Sequence, residues 1–389
     1  MRITGDWLIT PETQAVCAML TGAGHAAYFV GGCVRNALLG EPVSDIDIST
    51  DARPERVMEL ARAAGLNAVP TGIEHGTVTV ISRGVPHEIT TYRRDVETDG
   101  RRAVVAFADS LEEDARRRDF TMNALYADAT GAVRDPVGGL ADLKARRVRF
   151  IDDPAARIRE DYLRILRYFR FNAWYGREKG GFDREALAAI ADTLDGLETL
   201  SRERVGAEML KLLAAPDPTR AVAAMDKVGV LLRILPGAVI TALGPLVYVE
   251  DEAGLAPDPV LRLAALGGED VAERLRLSKA QAKALVFFRE EVGAATPPHE
   301  IGYRHGAELS EKLLALRAAL LQEHIDRKAF AEMEEGAAAI FPLRAADLMP
   351  EYQGPALGDR LRFLETLWIT SGFELSKEEL LGQDGRAGG

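Results

Sequence analysis

The chain has 389 residues, more than one compact core ordinarily holds, and this predicts two to four domains. With 47% hydrophobic and 28% charged residues the composition excludes a disordered chain, and the net charge of −12 argues against a protein coated for nucleic acid. Two cysteines, Cys17 and Cys33, form neither a metal knuckle nor a disulfide framework and point to a reducing cytoplasm.

The opening MRITGDWLITPETQ lacks a basic segment followed by an apolar one, so no signal peptide is expected. Residues 27–30 form an apolar run that ends in Gly31-Gly32, and a helix is predicted over 34–39. Residues 44–49 alternate polar and apolar like a half-buried strand, and 54–64 are helical. Two β-branched alternating runs, 76–82 and 87–92, are joined by Gly84 and Pro86, and the charged stretch 93–102 is expected to be a mobile loop. Residues 144–177 hold ten basic and four acidic side chains. That excess suits a nucleic-acid contact and a solvated basic helix equally.

Beyond about Asp152 the strand signals vanish. Stretches rich in Ala, Leu, Glu and Arg alternate with stops such as Pro216, Pro236 and Pro297, which predicts an all-helical body behind an α/β head. Residues 228–249 approach the length of a membrane span, but Pro236-Gly237 and Gly244-Pro245 break them into two short buried helices. No membrane and no protein partner is implied, and the tail 382–389 is expected to fray.

Residues two apart on a strand share a face, so Asp45 and Asp47 are predicted to stand side by side with Ile46 and Ile48 buried behind them. Adjacent carboxylates repel unless a cation lies between them. A pair of divalent ions would meet that need, polarise phosphoryl oxygens and activate a hydroxyl, and oxygen ligands beside a triphosphate favour Mg2+. Taken alone, a solvated strand edge accounts for the pair equally well. Upstream, Gly31 and Gly32 would let a phosphate approach the N–H groups of a helix start, with Arg35 able to clamp its oxygens; a simple tight turn explains the glycines as well. Glu88, on the strand predicted over 87–92, completes a three-carboxylate site if that strand neighbours the first; otherwise it is an exposed strand residue.

Gly31-Gly32-Cys33-Val34-Arg35, then Leu38-Leu39-Gly40, then Asp45-Ile46-Asp47 resemble the head motif of the tRNA nucleotidyltransferase and poly(A) polymerase family, within the polymerase-β-like superfamily. The resemblance extends in order through residues 71–77, Leu111-Glu112-Glu113-Asp114, residues 117–124, Asp135-Pro136-Val137-Gly138-Gly139, residues 159–164, 202–213 and 357–368. One departure is Asn36, where the family usually has Asp; it keeps the hydrogen-bonding shape and loses the charge. The resemblance implies an α+β fold: a small mixed-sheet catalytic head over 1–145, a helical neck over 146–200 that selects the base, and a helical body and tail over 201–389 that hold tRNA.

It further implies that Arg118 contacts the bound nucleotide and that Asp119 accepts from a ribose hydroxyl, both chemically apt. Asp161 and Arg164 are expected three apart on one helix face, reading the incoming base. A carboxylate accepts from the exocyclic amine of cytosine or adenine and meets a carbonyl on uracil or guanine. Without the family, an i,i+3 surface ion pair is the plainer account of the two. Arg167 and Arg170 continue the spacing but drift about 60° per step, which sets Arg170 opposite Asp161 and suits phosphate contact or packing. The implied activity is addition of C, C and A from CTP and ATP to the tRNA 3′ end with release of pyrophosphate. Poly(A) polymerisation, partial A-only or CC-only addition, and a catalytically silent RNA-binding protein stand as alternatives.

Overall fold

The computed structural model describes residues 1–98, 103–177 and 180–383. The chain divides after Pro236 into two compact units. The first opens with α1 (Asp6–Ile9), α2 (Pro11–Thr21), β1 (Tyr28–Val30), α3 (Gly32–Leu39), β2 (Asp47–Thr50) and α4 (Pro54–Ala63). There follow β3 (Asn67–Gly72), β4 (Thr77–Ser82), β5 (Val85–Thr91), β6 (Arg93–Thr98), β7 (Ala103–Phe107), α5 (Leu111–Arg116), β8 (Tyr126–Ala127) and β9 (Val133–Arg134). The unit ends in helices: α6 (Gly139–Lys144), α7 (Pro154–Glu160), α8 (Leu163–Tyr175), α9 (Arg184–Ala191), α10 (Arg202–Leu213), α11 (Thr219–Lys227) and α12 (Val230–Ile234).

Seven strands form one mixed sheet in the order β3-β4-β5-β2-β1-β8-β9. Strands β2 and β5 run parallel and pair Asp47 with Glu88 and Ile48 with Ile89. Period-two alternation sets the buried face: β4 turns Val78 and Val80 inward and leaves Thr77 and Thr79 half-exposed. Those valines share the interior with Val16 and Leu20 of α2 and Val57 and Ala61 of α4, each large side chain contributing about 1.5–3 kcal/mol by burial. An aromatic group of Phe120, Phe150, Tyr168 and Phe171 joins the end of the sheet region to α8, with Phe120 and Phe171 centroids 5.1 Å apart and Phe150 stacked on Tyr168 at 5.5 Å.

Two expectations need correction here. The strand predicted over 44–49 starts at Asp47, and Ile46 is half-buried, because the ladder to β5 ends with the bond from Glu88 N–H to the Ile46 carbonyl. The stretch predicted as a mobile loop is strand β6 over Arg93–Thr98, paired antiparallel with β7 in a separate two-stranded sheet. Its charged residues masked a β-branched pairing edge; residues 99–102 lie outside the described residues.

The 228–249 stretch forms α12 and the start of α13, interrupted at Pro236-Gly237, and among the described residues no helix is long and apolar enough to cross a membrane. The second unit is helical: α13 (Leu243–Ala253), α14 (Pro259–Leu266), α15 (Val271–Arg274), α16 (Lys279–Glu291), α17 (Pro298–His305), α18 (Ala307–Leu321), α19 (Arg327–Ala338), α20 (Pro355–Thr370) and α21 (Lys377–Leu381). Side-chain caps start four of them: Asp258, Ser278 with Gln281, Asp326, and Ser376 with Glu379, each worth about 1 kcal/mol. Leu343, Leu348, Leu364, Trp368, Ile369 and Leu380 form one of its cores. Of the tail expected to fray, residues 384–389 lie outside the described residues.

Candidate active site

The diglycine turn joins β1 to α3. Gly31 has φ 70° and ψ −118°, a backbone shape that side chains rarely tolerate, and among the described residues no side chain caps the N-terminus of α3. Uncapped N–H groups at a helix start attract anions. The Cys33 thiol donates to the Val30 carbonyl at 3.4 Å and reaches the Asp47 carbonyl at 3.8 Å, pinning α3 against the start of β2. Burial pushes that thiol up to about 11, so it is a packing group rather than a nucleophile.

Asp47 is half-buried at the head of β2, with Glu88 opposite it on β5 and Asp45 two residues before it. Its carboxyl is raised to about 6, first by burial, then by Glu88; Arg118 pulls it down, and Asp45 raises it slightly. Asp45 and Glu88 are exposed, and Asp45 Oδ2 accepts from the Ser44 hydroxyl at 3.0 Å. Among the described residues no three His, Cys, Asp or Glu side chains converge tightly enough to cage a metal. The donor set nevertheless fits a hard divalent cation of the kind held by one or two carboxylates plus substrate phosphates. Desolvated Asp47, crowded by like charges, is the group such an ion would relieve.

Arg118 supplies the fixed positive charge. Its Nη1 lies 3.6 Å from where a β-carbon on Gly31 would stand, its Nε donates to the Tyr126 hydroxyl at 3.1 Å, and its Nη2 to Asp114 at 3.1 Å. Asp114, fully buried, is the anchor: it also accepts from Ser49 Oγ, Tyr126 OH, Arg117 Nε and the Arg93 amide. These cations and donors hold its carboxyl well below the usual range despite burial.

Arg35 and Asp119 are spoken for inside the protein. Arg35, expected to clamp phosphate, instead donates from Nη1 to Asn123 Oδ1 at 2.6 Å, from Nη2 to Tyr175 OH at 2.9 Å and from Nε and Nη2 to Asn36 Oδ1. Its guanidinium lies 4.1 Å from the Tyr175 ring centroid, and burial lowers its pKa. Asn36, the departure from the family pattern, thus accepts from Arg35 and donates to the Pro42 carbonyl at 2.8 Å. Asp119 Oδ1 accepts from the Phe120 amide and Asn123 Nδ2, while Oδ2 accepts from Arg167 at 2.7 and 2.6 Å.

Asp161 and Arg164 do not share a helix, contrary to the expectation from their spacing. Asp161 ends α7 with φ −154° and ψ 104°, and its Oδ1 accepts from the Leu163 amide at the start of α8. The Tyr162 ring, at the break, packs against Gly196, where a β-carbon would fall 2.0 Å from it. Asp161 Oδ2 accepts from Arg204 Nη2 at 2.7 Å, whereas Arg164 pairs with Glu160 and donates to the carbonyls of Arg157 at 2.9 Å and Arg117 at 3.1 Å. Arg170 faces α10, its Nε 2.6 Å from Glu208.

The structure therefore gathers the diglycine turn, Asp47 and Arg118, with Asp45 and Glu88 flanking Asp47, and brings Arg167 to Asp119. Asp161 and Arg164 stand on either side of the α7–α8 break, linked by the bond from the Arg164 amide to the Asp161 carbonyl at 2.9 Å, while their side chains pair with Arg204 and Glu160 respectively. Sequence reasoning missed Asp114, Asn123, Tyr126, Tyr175, Arg204 and Glu208 as partners of the site. Asp114, Asn123, Arg204 and Glu208 lay in segments already noted for their resemblance; Tyr126 and Tyr175 carried no local signal.

Residues 27–149 match the family described as "Poly A polymerase head domain", and residues 181–240 match "Probable RNA and SrmB- binding site of polymerase A". The chain is 33% identical over 393 residues to CCA tRNA nucleotidyltransferase 1, mitochondrial, of Mus musculus, covering 96% of this chain and 90% of that protein. It is 41% identical over 214 residues to the CCA-adding enzyme of Anoxybacillus flavithermus (strain DSM 21510 / WK1), covering 54% of this chain and 52% of that one. The crystal structure of the Bacillus stearothermophilus CCA-adding enzyme in complex with CTP superposes with a TM-score of 0.72 at 26% identity, covering 95% and 96% of the two chains. The chain belongs to the tRNA nucleotidyltransferase and poly(A) polymerase family.

Proposed function

We propose that this protein adds C, C and A in turn to the 3′ end of tRNA, taking CTP and ATP and releasing pyrophosphate. The observation that carries it is the meeting of an uncapped diglycine helix start, Asp47 and Arg118, in a chain that aligns almost end to end with a CCA tRNA nucleotidyltransferase. A divalent metal requirement comes with a nucleotidyltransferase family; that the ion is Mg2+, held by Asp45 and Asp47 with Glu88 as third carboxylate, is part of the proposal. When bound, the ion would polarise phosphoryl oxygens and lower the barrier to attack by the tRNA 3′ hydroxyl.

The side chains have separable tasks. The N–H groups at Gly32 and the Arg118 guanidinium receive the triphosphate, since both present donors at one spot. Asp161 keeps a lone pair on each oxygen after bonding Leu163 and Arg204, enough to accept from the amine of C or A. Arg164 keeps its Nε–H and one Nη2–H for a ring acceptor. Arg35 and Arg170 act as supports, holding the diglycine turn and α8. Asp119 would engage a ribose hydroxyl by exchanging part of its bond to Arg167. Positioning and charge neutralisation, rather than covalent chemistry, supply the rate.

The partition into a head over 1–145, a neck over 146–200 and a body and tail over 201–389 suits this division of labour, because the strands end at Arg134 and helices follow. Two free, buried thiols suit a reducing cytoplasm.

The test is incorporation. With tRNA ending before CCA, Mg2+ and labelled nucleotides, CMP and then AMP are expected to appear in a 2:1 ratio. Many A residues without C would identify a poly(A) polymerase, A or C alone a partial enzyme, and none a binding protein. Asp47→Asn should abolish incorporation and leave tRNA binding intact.

A further inference from the structure

A cavity of about 1080 Å³ opens at the C-terminal end of α8, walled by residues 145–148, 172–174, 176–177, 180–183, 216–217 and 220–221. Ten residues of α8, about 15 Å at 1.5 Å per residue, separate Trp174 in its wall from Arg164, and none of the candidate active-site residues lines it.

Its charge is unbalanced. Arg146, Arg147, Arg177 and Arg220 line it. Arg220 is anchored, donating to the carbonyls of Arg177 at 2.8 Å and Gly180, and Arg147 reaches Asp142 at 3.8 Å. The guanidinium groups of Arg146 and Arg177 have no hydrogen-bond or ion-pair partner among the described residues, although a bond from the Arg177 amide to the Arg146 carbonyl holds the two backbones together at 3.0 Å. The two carboxylates in the wall are engaged elsewhere. Asp183 caps α9 through the amides of Glu185 and Ala186, and Asp217 accepts from the Thr219 amide and hydroxyl.

The wall also carries an aromatic face. Trp174 is 42% exposed and has no ring partner among the described residues, yet its Nε1 donates to the Lys211 carbonyl at 2.8 Å, which fixes the indole plane. Free guanidinium groups suit phosphates, and a held, exposed indole suits a nucleobase. A single strand of RNA offers both together.

We propose that this cavity is a second RNA contact, seating two backbone phosphates on Arg146 and Arg177 and a base against Trp174, apart from the reaction centre. The inference rests on the tRNA reading above for the identity of the RNA.

The test is equilibrium binding of tRNA lacking its CCA end, measured against salt, for the unaltered chain, Arg146→Ala/Arg177→Ala, Arg146→Lys/Arg177→Lys and Trp174→Ala. Loss of two phosphate contacts predicts about 10-fold weaker binding at low salt and a log–log salt slope shallower by roughly 1.4–1.8. The double lysine variant should retain affinity and slope, which separates charge from folding. Trp174→Ala should weaken binding about 10-fold with the slope unchanged. CTP and ATP affinities should not move in any variant.

Unchanged affinity and slope in the double alanine variant would overturn the proposal, as would failure of the lysines to restore them. Loss of CTP or ATP affinity with tRNA affinity intact would mark a free-nucleotide site and overturn it too. An unaltered chain that binds tRNA but incorporates nothing sinks the nucleotidyl-transfer reading and leaves the cavity test standing; no tRNA binding at all overturns both.

Discussion

Arg167 donates to Oδ2 of Asp119 from Nε at 2.7 Å and from Nη2 at 2.6 Å, fastening α8 to the segment that follows α5. The carboxylate is 8% exposed and its other oxygen is filled by Asn123 and the Phe120 amide. A residue expected to read a ribose is thus also a strut between the sheet and the first long helix behind it, and the two duties must share one oxygen.

Removing Arg167 should therefore cost stability as well as activity. Arg167→Ala leaves Asp119 buried without its cation, at a cost of about 2–3 kcal/mol after allowing for solvent screening at the part-exposed guanidinium. Asp119→Ala, which leaves Arg167 able to turn to water, should cost less, and the double variant less than the sum of the two. Urea denaturation of the three variants measures this; additive losses would show that the pair is not coupled.

Asp114 gives a pH signature. Its folded pKa is depressed by Arg118, Arg117 and the Tyr126 hydroxyl, which together outweigh burial. A depressed acid contributes stability that is fully present above its ordinary value, 3.8, and is lost as pH falls below that value toward the folded one. Asp114→Asn should lower stability at pH 7 by about 3 kcal/mol, because two arginines lose a buried counter-charge. Its stability should also fall less steeply than that of the unaltered chain as pH drops below about 4. Equal slopes in the acid limb, followed by denaturant titration, would remove Asp114 from this role.

The head was legible where chemistry and local pattern coincide. The turn at Gly31-Gly32 stands where glycine placement put it, and alternation located the strand carrying Asp47, although that strand starts three residues later than predicted. That Glu88 lies opposite Asp47 depends on a parallel β2–β5 pairing of residues 41 apart, which periodicity cannot encode. Arg35 looked like a phosphate clamp because its partners, Asn123 and Tyr175, are 88 and 140 residues away. The break at Asp161 carries no Gly or Pro to announce it, and the packing of Tyr162 against Gly196 beside it joins residues too far apart for local pattern to show. Charge in 93–98 hid strand β6, whose partner is β7 rather than the main sheet.

The same break makes base choice testable from two directions. Asp161→Ala should raise U and G misincorporation at least 10-fold while changing CTP and ATP turnover less. Gly196→Ala touches no nucleotide, but its methyl must push Tyr162 aside and so displace Asp161. It should relax base choice in the same sense and cost about 1–3 kcal/mol by overpacking. Misincorporation assays with each nucleotide decide it. Selectivity preserved in Asp161→Ala would remove that residue as the reader. Selectivity preserved in Gly196→Ala alone would show that the break tolerates repacking.

The second unit holds an ion pair with a different balance. Arg262 donates to Glu250 Oε2 from Nε at 2.9 Å and from Nη2 at 2.6 Å, and both side chains are almost wholly buried. Glu250 Oε1 is buried without a hydrogen-bond partner among the described residues, and burial raises the Glu250 pKa despite the arginine. An acid raised in the folded state favours folding while protonated, so its contribution is present below the ordinary value of 4.5 and is lost as pH rises through the folded value. Removing the cation strengthens that dependence. Arg262→Met should therefore cost about 3–5 kcal/mol at pH 7.5 and clearly less at pH 5, where the stranded carboxyl can stay protonated. Adding Glu250→Leu should recover most of the loss at pH 7.5 and abolish its pH dependence, since apolar replacements of similar volume need no counter-charge. Denaturant titrations at the two pH values measure both effects. A loss in Arg262→Met that is the same at both pH values, or that Glu250→Leu deepens, would mean that Arg262 acts through packing rather than through Glu250.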